Sequence, residues 1–316
     1  MTKKSVKIGI IQSGPQFLDL QSSMEKAARL VEEAAGKGAE LVVFGETWLS
    51  GYPAWLDLCP ESAVWGHEPT KEVFAATYLN SIAVPGDETK VLCDLARNYH
   101  IVICMGVNEI VKSGPGNGTI YNSLLLIDAD GKIVNHHRKL MPTFSEKLLY
   151  GMGDGRGLKA VDTHLGRIGG LICWEHWMPL ARQAMHNSGE HIHIAVWPWV
   201  HDIHQLASRH YAFEARCFVV AVGQILRVKD LPKQLKLPEN LVDKPGELLL
   251  KGGSCIIGPD GSYLLGPQVL NEGVIVYEIT DMDRIYKERM TLDTSGHYNR
   301  DDVFNFSCKT DSNGDW

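Results

Sequence analysis

No stretch of this sequence approaches the roughly 20 consecutive apolar residues that a membrane-spanning helix needs. The apolar run near the start reaches only Ile11 before Gln12-Ser13-Gly14-Pro15 interrupts it, and no small-residue cleavage site follows. That run reads as a first strand, in a soluble, cytoplasmic protein with no membrane partner. There is no basic excess either. Lys and Arg number 31 against 38 Asp and Glu, a net charge of −7, so nothing favours a nucleic-acid partner. Seven cysteines include no CxxC pair, and the odd count in a chain of 316 residues argues against a disulfide framework or a zinc ribbon. No short-period repeat and no Pro/Gly/Ser-rich linker divides the chain. Residues 1–300 therefore read as one domain, followed by a polar tail over 301–316 that ends in DSNGDW. What is present is ordinary globular material, 44% hydrophobic and 22% charged, enough to bury a large core.

Strand and helix patterns alternate. Val6–Ile11 is a strand. Ser22 with Glu25 three residues on gives a capping box, the apolar series Ala27, Leu30, Val31, Ala34 follows, and Gly36 and Gly38 stop the helix. Leu41–Phe44 completes a βαβ unit. Helices are expected at Asp87–Tyr99, Pro179–Asn187, Ile203–Cys217 and Asp281–Arg289. Strands are expected at Ile101–Val107, Ser123–Ile127, Lys132–Asn135, Arg167–Cys173, Ile192–Trp197, Phe218–Gln224, Cys255–Gly258, Tyr263–Leu265 and Val274–Ile279. Asp128-Ala129-Asp130-Gly131 and Pro259-Asp260-Gly261 place one Asp-Gly hairpin in each half, which suggests two similar sheet-plus-helix halves. Arg227–Gly252, rich in Lys, Pro and Leu, reads as a surface excursion.

Three reactive side chains sit just past apolar strands: Glu46, Lys139 and Cys173. In α/β folds ligands bind outside the carboxyl ends of strands, so three such ends can share a pocket. A cysteine becomes a strong nucleophile once a base takes its proton, a carboxylate in a dry pocket can be that base, and an ammonium can stabilise developing negative charge. Each residue alone also has a plainer reading, as an inert buried thiol or a salt-bridged surface charge.

The surrounding words decide between these. Phe44-Gly45-Glu46-Thr47-Trp48-Leu49-Ser50-Gly51-Tyr52-Pro53, His137-Arg138-Lys139-Leu140-Met141-Pro142-Thr143 and Gly170-Leu171-Ile172-Cys173-Trp174-Glu175-His176-Trp177-Met178-Pro179-Leu180 resemble, in order and spacing, the three catalytic blocks of the nitrilase branch of the carbon–nitrogen hydrolase superfamily. Gly296-His297-Tyr298-Asn299-Arg300 resembles a further nitrilase element, and the likeness runs from Val6 to about Phe304. The resemblance implies an α/β fold, a four-layer αββα sandwich. It implies Glu46 as general base, Lys139 as charge stabiliser, Cys173 as nucleophile, and Glu146 as a second glutamate beside them. It implies no cofactor, no metal, and a homo-oligomer in which dimers extend into spirals or filaments. Ile203–Cys217 and the tail are candidate contact elements. The expected reaction converts an organic nitrile to carboxylic acid and ammonia. A cyanide-hydrolysing enzyme, an amidase, a catalytically silent scaffold and a redox-sensing thiol protein are the alternatives.

The backbone N–H groups of Trp174 and Glu175, directly after the nucleophile, are candidates for holding developing charge. Among the aromatics flanking the blocks (Trp48, Tyr52, Trp55, Trp177, Trp197 and Trp199), Tyr52, Trp177 and Trp197 are expected to line a substrate pocket, with Trp174 beside them. His191, His193, His201, His204 and His210 show no metal-ligand spacing and read as structural or pocket-lining. Gly151–Gly157 lacks a GK[ST] ending and reads as a glycine-rich turn rather than a phosphate loop.

Overall fold

A computed structural model describes residues 3–309. The first sheet contains β1 (Val6–Gln12), β2 (Leu41–Val43), β3 (Ile82–Ala83), β4 (Val102–Ile110), β5 (Ile120–Ile127) and β6 (Ile133–Arg138). The second contains β7 (Val161–Thr163), β8 (Gly166–Ile172), β9 (Ile192–Val196), β10 (Phe218–Val222), β11 (Ile225–Arg227), β12 (Leu248–Ile257) and β13 (Tyr263–Val269). The last strand, β14 (Gly273–Ile279), returns to the first sheet and pairs antiparallel with β1. The strand orders are β14-β1-β2-β4-β5-β6, with β3 beside β4, and β11-β12-β10-β9-β8-β7, with β13 beside β12.

Alternation along the strands builds the layers. Val6, Ile8, Ile10, Leu41, Val43, Val102, Cys104, Leu124 and Leu126 share one core with Ile168, Ile172, Ile194 and Val220 of the second sheet. Their neighbours Val42, Ile103, Met105, Leu125 and Ile127 point the other way, onto Ala27, Leu30 and Val31 of helix α1 (Leu20–Gly36) and the helical segment 87–99. A strand apolar on both faces is one covered on both faces. Chain-order helices α2 (Trp55–Leu58), α3 (Glu68–Leu79) and α4 (Asp87–Tyr99) follow in the first half. The other sheet is covered by α5 (Pro179–Asn187), α6 (Asp202–Ala215) and α7 (Arg284–Arg289), whose Ala181, Met185, Tyr211 and Ile285 join the same core. The result is a four-layer helix–sheet–sheet–helix sandwich.

Several boundaries differ from the sequence reading. Asp19, not Ser22, caps α1. Its carboxylate accepts from both the Ser22 N–H at 3.0 Å and the Ser22 hydroxyl at 2.8 Å, so the helix starts earlier. Strand β6 continues through His136-His137-Arg138, because Asn135 and His137 point inward to buried partners, the Gly157 carbonyl and Glu175. Helix α3 was not anticipated: only Val73 and Thr77 of it are buried, too narrow a face to read. The strand before Cys173 stops at Ile172, and Cys173 opens a 3₁₀ turn. The excursion between β11 and β12 is folded down by its leucines: Leu231, Leu235 and Leu241 are buried. In the tail, Phe306 and Cys308 pack against the core; residues 310–316 lie outside the described residues.

Candidate active site

Glu46 lies just beyond β2. The turn that carries it is pressed against β4 at Gly106, where a Cβ would stand 2.1 Å from the Gly45 carbonyl oxygen and 2.6 Å from the Thr47 nitrogen, so only glycine fits. Lys139 follows β6 directly, and its N–H continues the ladder to Asn122 O at 2.8 Å. Cys173 follows β8 with φ +53°, a left-handed conformation that side chains adopt at a cost. The two sheets thus deliver their strand ends to one spot.

The side chains meet there. Lys139 Nζ donates to Glu46 Oε1 at 2.8 Å and to Glu146 Oε2 at 2.7 Å. Glu46 Oε1 also accepts from Asn122 Nδ2 at 2.7 Å, whereas Glu46 Oε2 is buried with no hydrogen-bond partner. Glu146 accepts the Thr143 N–H at 2.9 Å and the Tyr52 hydroxyl at 2.9 Å, so its lone pairs are committed. A carboxylate oxygen of each glutamate and the Cys173 sulfur lie within 4.8 Å of one another. These three groups are also the one His/Cys/Asp/Glu grouping among the described residues compact enough for a metal ion. The Lys139 ammonium, paired with both carboxylates, already supplies a cation there.

Burial dominates the electrostatics. It pushes Glu46 up to about 7, helped by repulsion from Glu146 and opposed by Lys139 and the Asn122 bond. Burial also drives the Cys173 thiol well above its ordinary value, with Glu46 adding to it. Lys139 and a bond from the Trp174 N–H pull the other way. Cys104, buried among apolar neighbours, is raised by burial alone and has no such counterweight. Desolvation works against the Lys139 charge, yet Cys173, Glu46 and Glu146 together hold its ammonium well above the usual range. The site therefore contains a permanent cation, a carboxylate poised near neutrality with one free oxygen, and a thiol beside them.

A cavity of about 840 Å³ opens over this group. Tyr52, Trp174 and Trp177 line it, as do Met141, Phe144 and His204. Trp197 does not. It is fully buried behind the site, stacked between His176 (centroids 4.7 Å apart) and His204 (4.3 Å), so its expected place in the pocket is corrected to a packing one. Trp48 and Trp55 are also core residues. Of the five histidines between 191 and 210, His201 and His204 line the cavity, His193 is buried against Glu190, and His210 is exposed near Glu214. The glycine-rich run forms a 3₁₀ turn over Gly155–Gly157, and the Gly153 N–H bonds Lys139 O at 2.8 Å, bracing the lysine segment.

Glu175 was underestimated. Its buried carboxylate accepts from Ile172 N at 2.7 Å, Leu140 N at 2.8 Å and His137 Nε2 at 2.9 Å. It ties the residue before Cys173 to the residue after Lys139, across the two sheets. Burial disfavours that charge, but His137 and the two amides hold it below the ordinary carboxylate value. Its position two residues past the cysteine was the only sequence signal.

Known proteins carry the same arrangement of chain. The carbon–nitrogen hydrolase family model matches residues 7–287. The chain is 37% identical to "Nitrilase 2" from an unknown prokaryotic organism over 95% of this chain and 91% of that protein. It is 36% identical to an aliphatic nitrilase of Sinorhizobium fredii (strain HH103), covering 96% of this chain and 95% of the relative. Its fold matches the crystal structure of a carbon–nitrogen hydrolase from Helicobacter pylori G27 with a TM-score of 0.66, at 21% identity, over 96% of this chain and 97% of that one. With relatives at this identity over nearly the whole length, the chain belongs to the nitrilase branch of the carbon–nitrogen hydrolase family and is an enzyme of that family.

Proposed function

We propose that the enzyme hydrolyses organic nitriles to carboxylic acid and ammonia, with Cys173 as nucleophile, Glu46 as general base and Lys139 as charge stabiliser. The observation that carries this is the unpartnered Glu46 oxygen in a buried group with the Cys173 thiol and the Lys139 ammonium, under a roomy cavity. Glu46 takes the thiol proton as sulfur bonds to the nitrile carbon, and one C–N π bond becomes a lone pair on nitrogen. Lys139 stabilises that anion, and the proton held by Glu46 neutralises it, giving a thioimidate. Water, losing a proton to Glu46, adds to the same carbon. Glu46 returns that proton to nitrogen, the new hydroxyl gives up its own proton to nitrogen as the carbonyl forms, and the nitrogen leaves as ammonia with both, so that a thioester remains. A second water, activated the same way, releases the acid and restores the thiol. Glu146 holds Lys139 in place with its two short bonds.

The cavity volume favours an organic nitrile over cyanide, and its aromatic walls favour an apolar substituent. Assembly through the exposed apolar residues Ile203, Leu206 and Phe213 of α6 is part of the same proposal. The test is ammonia release from butyronitrile, benzonitrile, phenylacetonitrile and cyanide beside the matching amides, with Cys173→Ala as control. Release from organic nitriles and not from amides is expected. Release from amides alone, or release that survives Cys173→Ala, overturns the proposal.

A further inference from the structure

Behind Cys173, on the side away from the charged group, lies a second buried polar chain that the reaction above does not use. His176 Nδ1 is 2.7 Å from the Cys173 carbonyl oxygen. His176 Nε2 faces His193 Nε2 at 3.0 Å. His193 Nδ1 meets Glu190 Oε1 at 2.7 Å, and the Tyr211 hydroxyl reaches Glu190 Oε2 at 2.5 Å. All four side chains are buried, on the 3₁₀ turn, the loop before β9, β9 itself and α6. The cage is tight: a Cβ on Gly169 of β8 would stand 2.2 Å from Glu190 Oε1.

Only one neutral proton order satisfies this chain. A carbonyl only accepts, so the His176 proton is on Nδ1 and its Nε2 is bare. His193 must then donate from Nε2, which leaves its Nδ1 bare. Glu190 must therefore donate from Oε1 as a carboxylic acid, while its Oε2 accepts from Tyr211. Burial supports each assignment: it pushes Glu190 up to about 8 against the Tyr211 bond and His186, and keeps His176 and His193 well below their ordinary values. The facing charged and titratable groups are few. His186 of α5 acts on Glu190 and His193. Cys217 lies near Glu190, and Arg289 of α7 donates to the Glu190 backbone oxygen at 3.4 Å. Glu175 and His204 act on His176, and Arg182 of α5 donates to its backbone oxygen at 3.1 Å.

The peptide joining Cys173 to Trp174 is planar and trans, so its C=O and N–H point in opposite directions. His176 grips the C=O and so sets the direction of the N–H in the same plane, whose pull lowers the Cys173 thiol value. We propose that Glu190 is a positioning residue whose carboxyl proton, relayed in direction through His193 and His176, fixes this peptide and aims the Trp174 N–H at the reacting centre. Loss of the Glu190 proton draws the His193 proton to Nδ1. Two bare Nε2 atoms then face each other, and the chain breaks at the His–His contact. The inference rests on Cys173 being the nucleophile.

Glu190→Gln is the test, because the amide donates to His193 and accepts from Tyr211 at every pH. Two profiles are measured between pH 6 and 10 on the full-length enzyme. One is kcat for ammonia release. The other is Cys173 alkylation by iodoacetamide, read by peptide mass, which needs no substrate. At pH 6.5 the variant should match wild type. By pH 9 it should exceed it by about threefold or more in both, the size of one ordinary net hydrogen bond. His193→Phe should lower kcat about tenfold with KM nearly unchanged. Equal alkaline limbs in wild type and Glu190→Gln overturn the inference. Should Glu190→Gln fail to fold, ¹⁵N-histidine spectra of the wild type at pH 7 decide: His176 as the Nδ1–H tautomer and His193 as Nε2–H are expected, and any other pair overturns it. If no nitrile or amide yields ammonia, the proposed function fails, and the alkylation profile still decides this point.

Discussion

Two buried polar clusters flank Cys173 and meet the cost of burial in opposite ways. In front, one ammonium, Lys139, is shared by two carboxylates across bonds of 2.7–2.8 Å, and the excess negative charge helps hold Glu46 near 7. Behind, His176, His193, Glu190 and Tyr211 form a chain without net charge, each member donating in one direction. Pairing gives the front the field that chemistry needs, and opens it to a cavity. Proton order gives the back rigidity without a field that would oppose the reaction. A buried pair that loses one partner strands a charge, at about 3–5 kcal/mol. A neutral network that loses one member strands only a dipole, at about 1–3 kcal/mol.

The largest expected effect comes from the residue the clusters share. Cys173→Ala should reduce turnover to background while leaving both clusters and the melting temperature nearly intact; a large drop in melting temperature would mean the sulfur holds them together. Next, Lys139→Met should cost about 3–5 kcal/mol of stability in a denaturant titration, because two carboxylates are left facing each other. Tyr211→Phe should cost about 1–3 kcal/mol. Equal losses would erase the distinction drawn between charge pairing and proton order.

The pH dependence separates activity from stability at Glu46. Its folded value, about 7, lies above the unfolded 4.5, so the folded state holds the proton more tightly. That stabilisation is fully present below 4.5 and is lost as pH rises through 7. Under the proposed role of Glu46 as base, activity has the opposite sign, since a base must be deprotonated to act. We expect kcat/KM to fall below about pH 7, approaching tenfold per unit, while the melting temperature rises in the same direction. In Glu46→Gln the melting temperature should vary less between pH 5 and 8 than in wild type. The smallest effect belongs to Tyr52→Phe, which removes one bond to Glu146. We expect a loss of about 0.5–1.5 kcal/mol, read as a modest change in kcat for nitriles.

Much of the front cluster was legible in the sequence. Glu46, Lys139 and Cys173 each follow an apolar strand by one to three residues, and Glu146 stands in a word the family shares. The back cluster was not, because its bonds join residues 17, 3 and 21 positions apart across a turn, a strand and a helix. The two-residue spacing of His191 and His193 places them on one face of a strand, but does not say whether that face is buried. Trp197 misled for a related reason: an aromatic next to a catalytic block looks the same whether it lines a pocket or packs behind one. Ser22 and Asp19 are both good caps, and the structure selects the earlier, with the Ser22 N–H and hydroxyl both bonded to Asp19.

The pairing of β14 with β1 has a consequence in time. Val6 waits for Ile279 and Gln12 for Gly273. At ordinary translation rates the first strand leaves the ribosome on the order of ten seconds or more before its partner exists. Through that interval β1, next to the end of the first sheet, presents an open edge of backbone donors and acceptors, available to any passing chain. The seam that closes last is thus the one made first. Weakening β14 would show itself in the fraction of newly made chains that escape aggregation, before it showed in the turnover of those that did.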